Sequence, residues 1–433
     1  MFMKKILFFA ATAFLFAACS SDEGNAPKVD EVVPQAVAFD TYTAGTTTRA
    51  GRTGVMTTAT LQESLANGGG FGVFAYQKSA YYSVDAASAP DFMYNEPVKY
   101  ASSAWSYDIL KYWPNNTTAD MHSNSGHATT GTNSYLSFFA YAPYVTAGAS
   151  GEPGITAIST AATTGAPTIG YQIATNPTQS VDLLWGVTPD DWQYTNVAGT
   201  IWNSDAAHNG KPLMDLLKPN VDTRVKFLFL HALARLGINV VAAVDQEAAG
   251  GTLDAKTKIV LESVTITDVT SGGANLPTTG TLNLNNVTAK VANWTATSVA
   301  SGFTSTLNGA AIENSLLYDT DAATSYAKEG VLASKEKPVI ANGQYYMLIP
   351  PTAATTLQVN IVYDVITLDT KLETDYAVVQ NNITKNVNVT FQNGKAYTLK
   401  LVLGLTSVKL DAEVENWDAA AATVVDLPQN YLP

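Results

Sequence analysis

The sequence predicts an all-β protein made of two antiparallel β-sandwich domains in tandem. Apolar and polar residues alternate in many short segments, which is typical of strands with one buried and one wetted face. No segment has the helical period over more than a few turns, so parallel-sheet crossovers through helices are not expected. At 433 residues the chain also exceeds what one hydrophobic core usually supports.

The N-terminus has the features of a lipoprotein leader. Lys4 and Lys5 precede an apolar run, residues 6–18, which is shorter than the roughly 20 residues of a membrane-spanning helix. Cys19, the only cysteine, follows directly. We interpret residues 1–18 as a signal peptide and Cys19 as the site of lipidation. An ordinary secretory signal followed by a chance cysteine is the alternative.

Residues 20–55 have little apolar periodicity and read as a linker with one short strand, QAVAF at 35–39. Near the end of this linker, Arg49 stands in the polar stretch GTTTRAG, with Arg52 close by. A buried partner for Arg49 is one possibility, but the stretch is too polar to favour it. A phosphate contact is a second, but nothing around Arg49 in the sequence supports it. Cleavage by an arginine-specific protease, at Arg49–Ala50 or alternatively after Arg52, is the third possibility.

Apolar segments with turn residues at their borders predict the strands of the first domain, residues 50–221. These are 70–76, 92–115 (a hairpin and an edge strand), 134–144 and 180–187. Residues 59–69 predict one or two helical turns before the glycines. The segments 145–178 and 188–222 predict long loops, with a helical turn at 212–217.

A second series of strands follows a boundary near Asp222 and forms the second domain, residues 222–433. The predicted segments are 224–244, 258–269, 280–287, 344–351, 356–368, 385–391, 396–405 and 407–417. Alternation is clearest in 396–405, where every second residue from Tyr397 to Leu405 is apolar. The tail 418–433 predicts one further, weakly apolar strand interrupted by Pro428.

The net charge of the chain argues against nucleic acids as partners. The chain has 24 basic and 37 acidic residues and a formal charge of −13. An acidic surface repels phosphate backbones, so we expect no nucleic-acid partner.

The residues that could carry chemistry do not form a known motif. His122 and His127 lie five apart in a polar segment, and neither His208 nor His231 completes a zinc spacing. His231, in an apolar strand, is interpreted as a core or edge histidine. Asp190 with Asp191 predicts a surface turn rather than a calcium loop. We expect no metal site and no cofactor.

An enzyme is not expected either. Serine-nucleophile and phosphate-loop motifs are absent from the sequence, and paired carboxylates of a glycoside hydrolase could only be recognised in three dimensions. The aromatic residues at 105–113 could form a sugar-stacking platform. Their alternation favours a packed strand face.

Several stretches together resemble the fimbrillin family, the lipoprotein pilins of Bacteroidales type V pili. They occur in order along most of the chain: 92–115, 136–144, 181–186, 225–240, 345–351 and 394–417. The leader, Cys19 and TTTRAG lie where that family has its lipid site and its maturation site. SSDEG after Cys19 resembles the tag that sends lipoproteins to the outer face of the cell.

The resemblance implies two transthyretin-like sandwiches and a defined maturation. An arginine-specific surface protease would remove residues 19–49, including the strand at 35–39, and a strand of a neighbouring subunit would fill the vacated groove. The donor in this family is C-terminal, here 418–433. The implied partners are other pilin subunits, the protease, the outer membrane through the lipid on Cys19, and a host or bacterial surface ligand.

The sequence is therefore compatible with two functions. The first is a structural pilin of surface fimbriae, as shaft, tip or accessory subunit, which supports adhesion. The alternative is a monomeric, lipid-anchored surface protein that binds glycans or proteins with the segments 145–178 and 188–222.

Overall fold

The structure, a computed structural model, describes most of the chain from residue 35 onward. The described residues are 35–43, 53–78, 88–114, 135–148, 154–190, 192–195, 201–203, 207–219, 224–242, 257–270, 275–297, 302–319, 336–341, 343–368, 371–372, 376–404, 408–417 and 422–423. They belong to one compact unit, Gln35–Pro433.

Almost all of the regular structure is strand. The first half contains β1 (Phe39–Thr43), β2 (Phe71–Lys78), β3 (Met93–Ala101), β4 (Ala104–Ser106), β5 (Tyr135–Ala142), β6 (Ile155–Ile158), β7 (Thr168–Gln172), β8 (Leu184–Val187), β9 (Gln193–Thr195), β10 (Ile201–Asn203), β11 (Leu213–Leu216) and β12 (Val225–His231). One α-helix, α1 (Thr58–Leu61), and the 3₁₀ turns Leu65–Asn67 and Pro177–Gln179 lie between them.

The second half continues the pattern. It contains β13 (Ala234–Ala242), β14 (Lys258–Asp268), β15 (Thr279–Asn283), β16 (Asn293–Thr297), β17 (Thr304–Asn308), β18 (Leu316–Asp319), β19 (Lys337–Pro338), β20 (Tyr346–Leu348), β21 (Thr355–Leu368), β22 (Tyr376–Val389), β23 (Lys395–Leu403), β24 (Val408–Asn416) and β25 (Ala422–Thr423). A 3₁₀ turn, Gly309–Ala311, follows β17. The predicted all-β class is confirmed.

The N-terminal strands form an eight-stranded sheet in the order β1-β12-β8-β5-β2-β3-β4, with β11 against β5. β1 is therefore an edge strand, and its single strand neighbour, β12, is nearly two hundred residues away in sequence. The chain leaves this sheet at the end of β12 and enters the next one with β13.

Three further sheets contain all the remaining strands except β9 and β10. One has the order β19-β13-β23-β24-β25 with β20 against β13, another β17-β14-β21-β22 with β18 against β14, and a third β16-β15-β7-β6. β9 and β10 form a two-stranded ribbon. The expectation of purely antiparallel sheets is wrong, because β1–β12 and β13–β23 are parallel pairs. Long stretches of chain separate both pairs, and such separation permits parallel pairing without a helical crossover.

The apolar side chains pack into two clusters. The smaller one is formed by residues between Val37 and Phe229 on one face of the eight-stranded sheet. The larger one joins side chains of the other face to those of the C-terminal sheets. The inferred boundary at Asp222 lies outside the described residues, so the division into two domains stays a prediction.

The predicted strands at 70–76, 134–144 and 356–368 are found as β2, β5 and β21, and the hairpin within 92–115 is β3–β4. The segment 224–244, predicted as one strand, is two strands in different sheets. Both residues at the break, Ala232 and Leu233, are fully buried. The apolar pattern thus continues through the turn and conceals it.

Two other expectations are wrong. The helical turn predicted at 212–217 is strand β11, in which a bulge shifts the register between Leu213 and Leu216 so that both side chains are buried. Apolar residues three apart therefore imitate a helical spacing. The predicted loops 145–178 and 188–222 contain β6, β7, β9, β10 and β11.

Among the residues that the structure describes, no helix has the length and apolar character needed to span a membrane.

Candidate functional site

The N-terminal segment 35–43 lies in a groove between two parts of the protein. On one side, β1 pairs in parallel with β12, with Phe39 opposite Val225 and Thr43 opposite Phe229. The backbone N–H of Val225 donates to the carbonyl of Ala38 over 2.8 Å. The segment thus adds a strand to a sheet that already exists without it.

On the other side, the segment is bound by residues 111–113. The N–H of Val37 donates to the carbonyl of Lys111 (2.8 Å), and the N–H of Trp113 donates to the carbonyl of Gln35 (2.9 Å). Between them, Ala36 and Tyr112 form an antiparallel bridge. The groove therefore offers backbone partners on both sides, as strand addition requires.

Phe39 is the side chain that fills the groove most deeply. It is 1 % exposed, as is Val37 two residues earlier. Its ring centroid lies about 6 Å from each of four rings, those of Phe71 (6.2 Å), Tyr107 (5.6 Å), Phe138 (6.0 Å) and Phe227 (6.1 Å). Burial of a phenylalanine side chain contributes about 1.5–3 kcal/mol, and ring pairs add to this.

Polar side chains at the groove hold the backbone of the segment. The hydroxyl of Tyr107 donates to the carbonyl of Val37 over 2.7 Å. Burial raises the pKa of Tyr107 above its ordinary value of 10, so this hydroxyl keeps its proton and remains a donor. Arg224 Nη1 donates to the carbonyl of Phe39 over 3.3 Å.

The C-terminal end of β1 is tied to α1. The N–H of Thr43 donates to Thr58 Oγ1 (3.2 Å), and the two threonine hydroxyl oxygens are 2.8 Å apart. Ten residues, 44–53, separate Thr43 from Gly54. Gly54 forms a parallel bridge with Val181, and its N–H donates to the carbonyl of Ser180 (2.8 Å). The chain is thus fixed on both sides of the predicted cleavage sites.

A buried pair of hydrogen-bonded side chains anchors the chain just beyond those sites. Asp182 Oδ2 accepts from the N–H of Met56 (2.8 Å) and lies 2.8 Å from His231 Nδ1. Both partners are at least 99 % buried. The His231 ring stacks on Trp417, with centroids 4.0 Å apart and planes within 3°. This cluster joins Met56, just after the predicted cleavage sites, to Trp417, which precedes the C-terminal tail.

The structure confirms the interpretation of His231 as a buried core histidine. Three of the four aromatic residues at 105–113 are packed rather than displayed, since Trp105, Tyr107 and Trp113 are each at most 7 % exposed, whereas Tyr112 is 50 % exposed. Of the pair proposed as a surface turn, Asp190 is exposed and binds Lys290. His208 lies in a turn, and no group of three metal-ligating side chains occurs within the described part of the chain.

The other predicted site residues lie outside the described residues. These are Cys19, Arg49, Ala50, Arg52, His122, His127 and Asp191. Of the predicted donor tail 418–433, only β25 is described, and it pairs with Val414 and Glu415 of β24.

Comparison with known proteins gives one family. The Fimbrillin-like family profile matches residues 48–417. The chain is similar to "Fimbrium subunit Fim1C" of Phocaeicola vulgatus, with 25% identity over 430 residues that cover 96% of each chain. Among solved structures, a fimbrial protein from Bacteroides vulgatus matches with a TM-score of 0.56 and 22% identity over 88% of this chain and 99% of that chain.

Proposed function

Because the chain belongs to the fimbrillin-like family, we propose that it is a structural subunit of surface fimbriae that assembles by exchange of a β-strand. In this proposal the chain is exported as a lipoprotein, with lipid on Cys19 as its attachment to the outer membrane. Cleavage after Arg49, or alternatively after Arg52, frees the N-terminal segment. A strand of a neighbouring subunit then occupies the groove, and the assembled fimbria supports adhesion to a host or bacterial surface.

The observation that carries the proposal is the seating of residues 35–43. The segment is held by backbone bonds on both sides and by two apolar side chains, Val37 and Phe39. Any strand with apolar residues at these two positions would make the same kinds of contact. Exchange would therefore be close to balanced in free energy and would need no external energy source.

The anchoring of Met56 supports the same assignment. If the bond after Arg49 or Arg52 is cut, the fragment that ends there keeps only the groove contacts. The new N-terminus keeps the bridge at Gly54 and the bond from Met56 to Asp182. Cleavage would thus release the strand without loosening the remaining protein.

Two finer parts of the proposal concern architecture and the donor. We propose two transthyretin-like domains, residues 50–221 and 222–433, which share strands across their boundary, since β12 lies in the eight-stranded sheet and β7 pairs with β15. We also propose the tail 418–433 as the donor strand, since it follows Trp417 at the buried cluster. The occupant of the groove in a fimbria is then the tail of a second subunit.

The test uses the chain from residue 20 onward, treated with an arginine-specific protease. We expect one early cut that gives Ala50 or Thr53 as the new N-terminus, followed by multimers that resist detergent on an unheated denaturing gel. The control is the double variant Arg49→Lys, Arg52→Lys, which removes both predicted sites and keeps the charge. It should remain uncut at these positions and monomeric on the gel.

Two results would count against the proposal. Resistance of the wild-type chain at both arginines would contradict maturation and favour the lipid-anchored binding protein. Clean cutting without multimers would contradict self-assembly of this subunit and favour a tip, anchor or accessory role.

A further inference from the structure

β22 is an unusually long edge strand for this protein. It has 14 residues, and no other described strand pairs with the side that faces away from β21. The terminal strands of the other described sheets have two to five residues. Short edge strands are one way in which proteins avoid pairing with other chains. β22 departs from that rule.

β22 also lacks most other protective features of an edge. Its register with β21 runs without a bulge from Thr355 opposite Val389 to Leu368 opposite Tyr376. Its sequence, YAVVQNNITKNVNV, contains no proline and one lysine. Val378 and Val379 are adjacent, 56% and 60% exposed, and point to opposite faces. A flat, regular edge with exposed apolar residues is a template for strand pairing.

The charge of the hairpin removes the main obstacle to pairing with a second copy. The 28 residues of β21 and β22 contain one acid, Asp364, and one base, Lys385. The whole chain has a formal charge of −13, so two copies repel each other over most of their surfaces. Approach along β22 brings together two hairpins that carry no net charge and therefore do not repel each other.

Side-chain hydrogen bonds order the hairpin before any partner arrives. Asn360 Nδ2 donates to Asn382 Oδ1 (2.6 Å) and to Thr384 Oγ1 (2.9 Å), and Thr356 Oγ1 donates to Asn388 Oδ1 (2.8 Å). A strand that is already extended and ordered loses little entropy when it pairs.

From this geometry we propose that β22 is a homotypic docking edge, on which β22 of a second copy pairs in antiparallel orientation about a two-fold axis. Such an isologous interface uses the same strand on both copies and closes at a dimer. It joins two five-stranded sheets into one continuous sheet. β22 and the groove of residues 35–43 belong to different sheets, so this contact does not use the groove.

The test is sedimentation velocity of the uncleaved chain from residue 20 onward over a hundredfold range of concentration. In this form β1 fills its groove, so strand exchange does not contribute. We expect a reversible monomer–dimer equilibrium. Val379→Lys, which places a second positive charge on the pairing strand of each copy, should raise the dissociation constant at least tenfold.

The matched control is Val287→Lys, since Val287 is also an exposed valine (74%) but lies outside the hairpin. It should leave the dissociation constant unchanged. Hydrogen exchange should show amides of residues 376–382, which flank Val379, becoming more protected as the concentration rises. A wild-type chain that stays monomeric, or an equal effect of the two lysine variants, would overturn the proposal whatever the fate of strand exchange.

Discussion

Two edge strands of this protein, β1 and β22, show opposite ways of ending a sheet. β1 has five residues and lies in a groove, where Phe39 is 1 % exposed among aromatic rings. β22 has 14 residues, most of which are exposed, and it is joined to β21 along its whole length. β1 combines its backbone pairing with a deeply buried side chain, whereas β22 is held mainly by its backbone ladder.

This difference determines how each strand can interact with other chains. A short strand held by few deep side chains can be replaced by any strand that supplies the same side chains. A long strand held by a regular ladder stays in place and can only gain a neighbour. The first arrangement suits exchange, and the second suits addition.

Among the variants that test this difference, Phe39→Ala should change the unfolding free energy most. Loss of a buried phenylalanine ring costs about 3–5 kcal/mol of unfolding free energy. Urea denaturation of the uncleaved chain from residue 20 onward measures this quantity. A loss below about 1 kcal/mol, the range of surface positions, would show that the aromatic contacts do not hold β1.

Asp182→Ala should destabilise the protein by about 3 kcal/mol, because it leaves a buried histidine and the N–H of Met56 without their acceptor. The matched control is Asp190→Ala, whose ion pair with Lys290 is exposed and should contribute less than about 1 kcal/mol. Denaturation curves of the two variants provide the comparison. Equal losses would contradict the anchoring role of Asp182.

A smaller effect is expected at the end of β1. Thr58→Val keeps the shape of the side chain but removes the hydroxyl that contacts Thr43, so it should cost about 1 kcal/mol. Because this contact joins the released strand to the retained protein, the variant should also lose its cleaved N-terminal fragment faster. Mass spectrometry after gel filtration measures the retained fragment. If the amount of bound N-terminal fragment does not change, the Thr58 hydroxyl does not hold the fragment in place.

The smallest effect is expected on the exposed edge. Val378→Ala removes two methyl groups that are largely in water, so the unfolding free energy should change by less than about 0.5 kcal/mol. Denaturation of the monomer at low concentration tests this. A loss as large as that of Phe39→Ala would abolish the distinction between the two edges.

Alternation along the sequence predicted the strand class and most of the long strands, because one face of each is buried. It could not predict which strands become neighbours. The parallel pair β1–β12 joins residues 39–43 to residues 225–229, and no local pattern encodes that contact. Nor could the sequence separate β12 from β13, since the turn between them is as apolar as the strands.

The candidate site was predicted in part. QAVAF at 35–39 was recognised as a strand, and the structure places Val37 and Phe39 in the groove and β1 slightly later, at Phe39–Thr43. The partners of the segment were missed: Tyr107, Lys111, Trp113, Arg224 and the Asp182–His231 pair. The alternating aromatics at 105–113 indicated a packed face, but only the fold shows what packs there.

The central claim is that residues 35–43 occupy a groove that a second strand can fill, and hydrogen exchange tests it most directly. After cleavage and removal of the N-terminal fragment, the amides of β12, residues 225–231, should lose protection. A synthetic peptide of residues 35–43 should restore it, and the same peptide with Phe39→Ala should restore it at least tenfold less effectively at equal concentration. Protection of β12 that does not change when the fragment is removed would contradict the account.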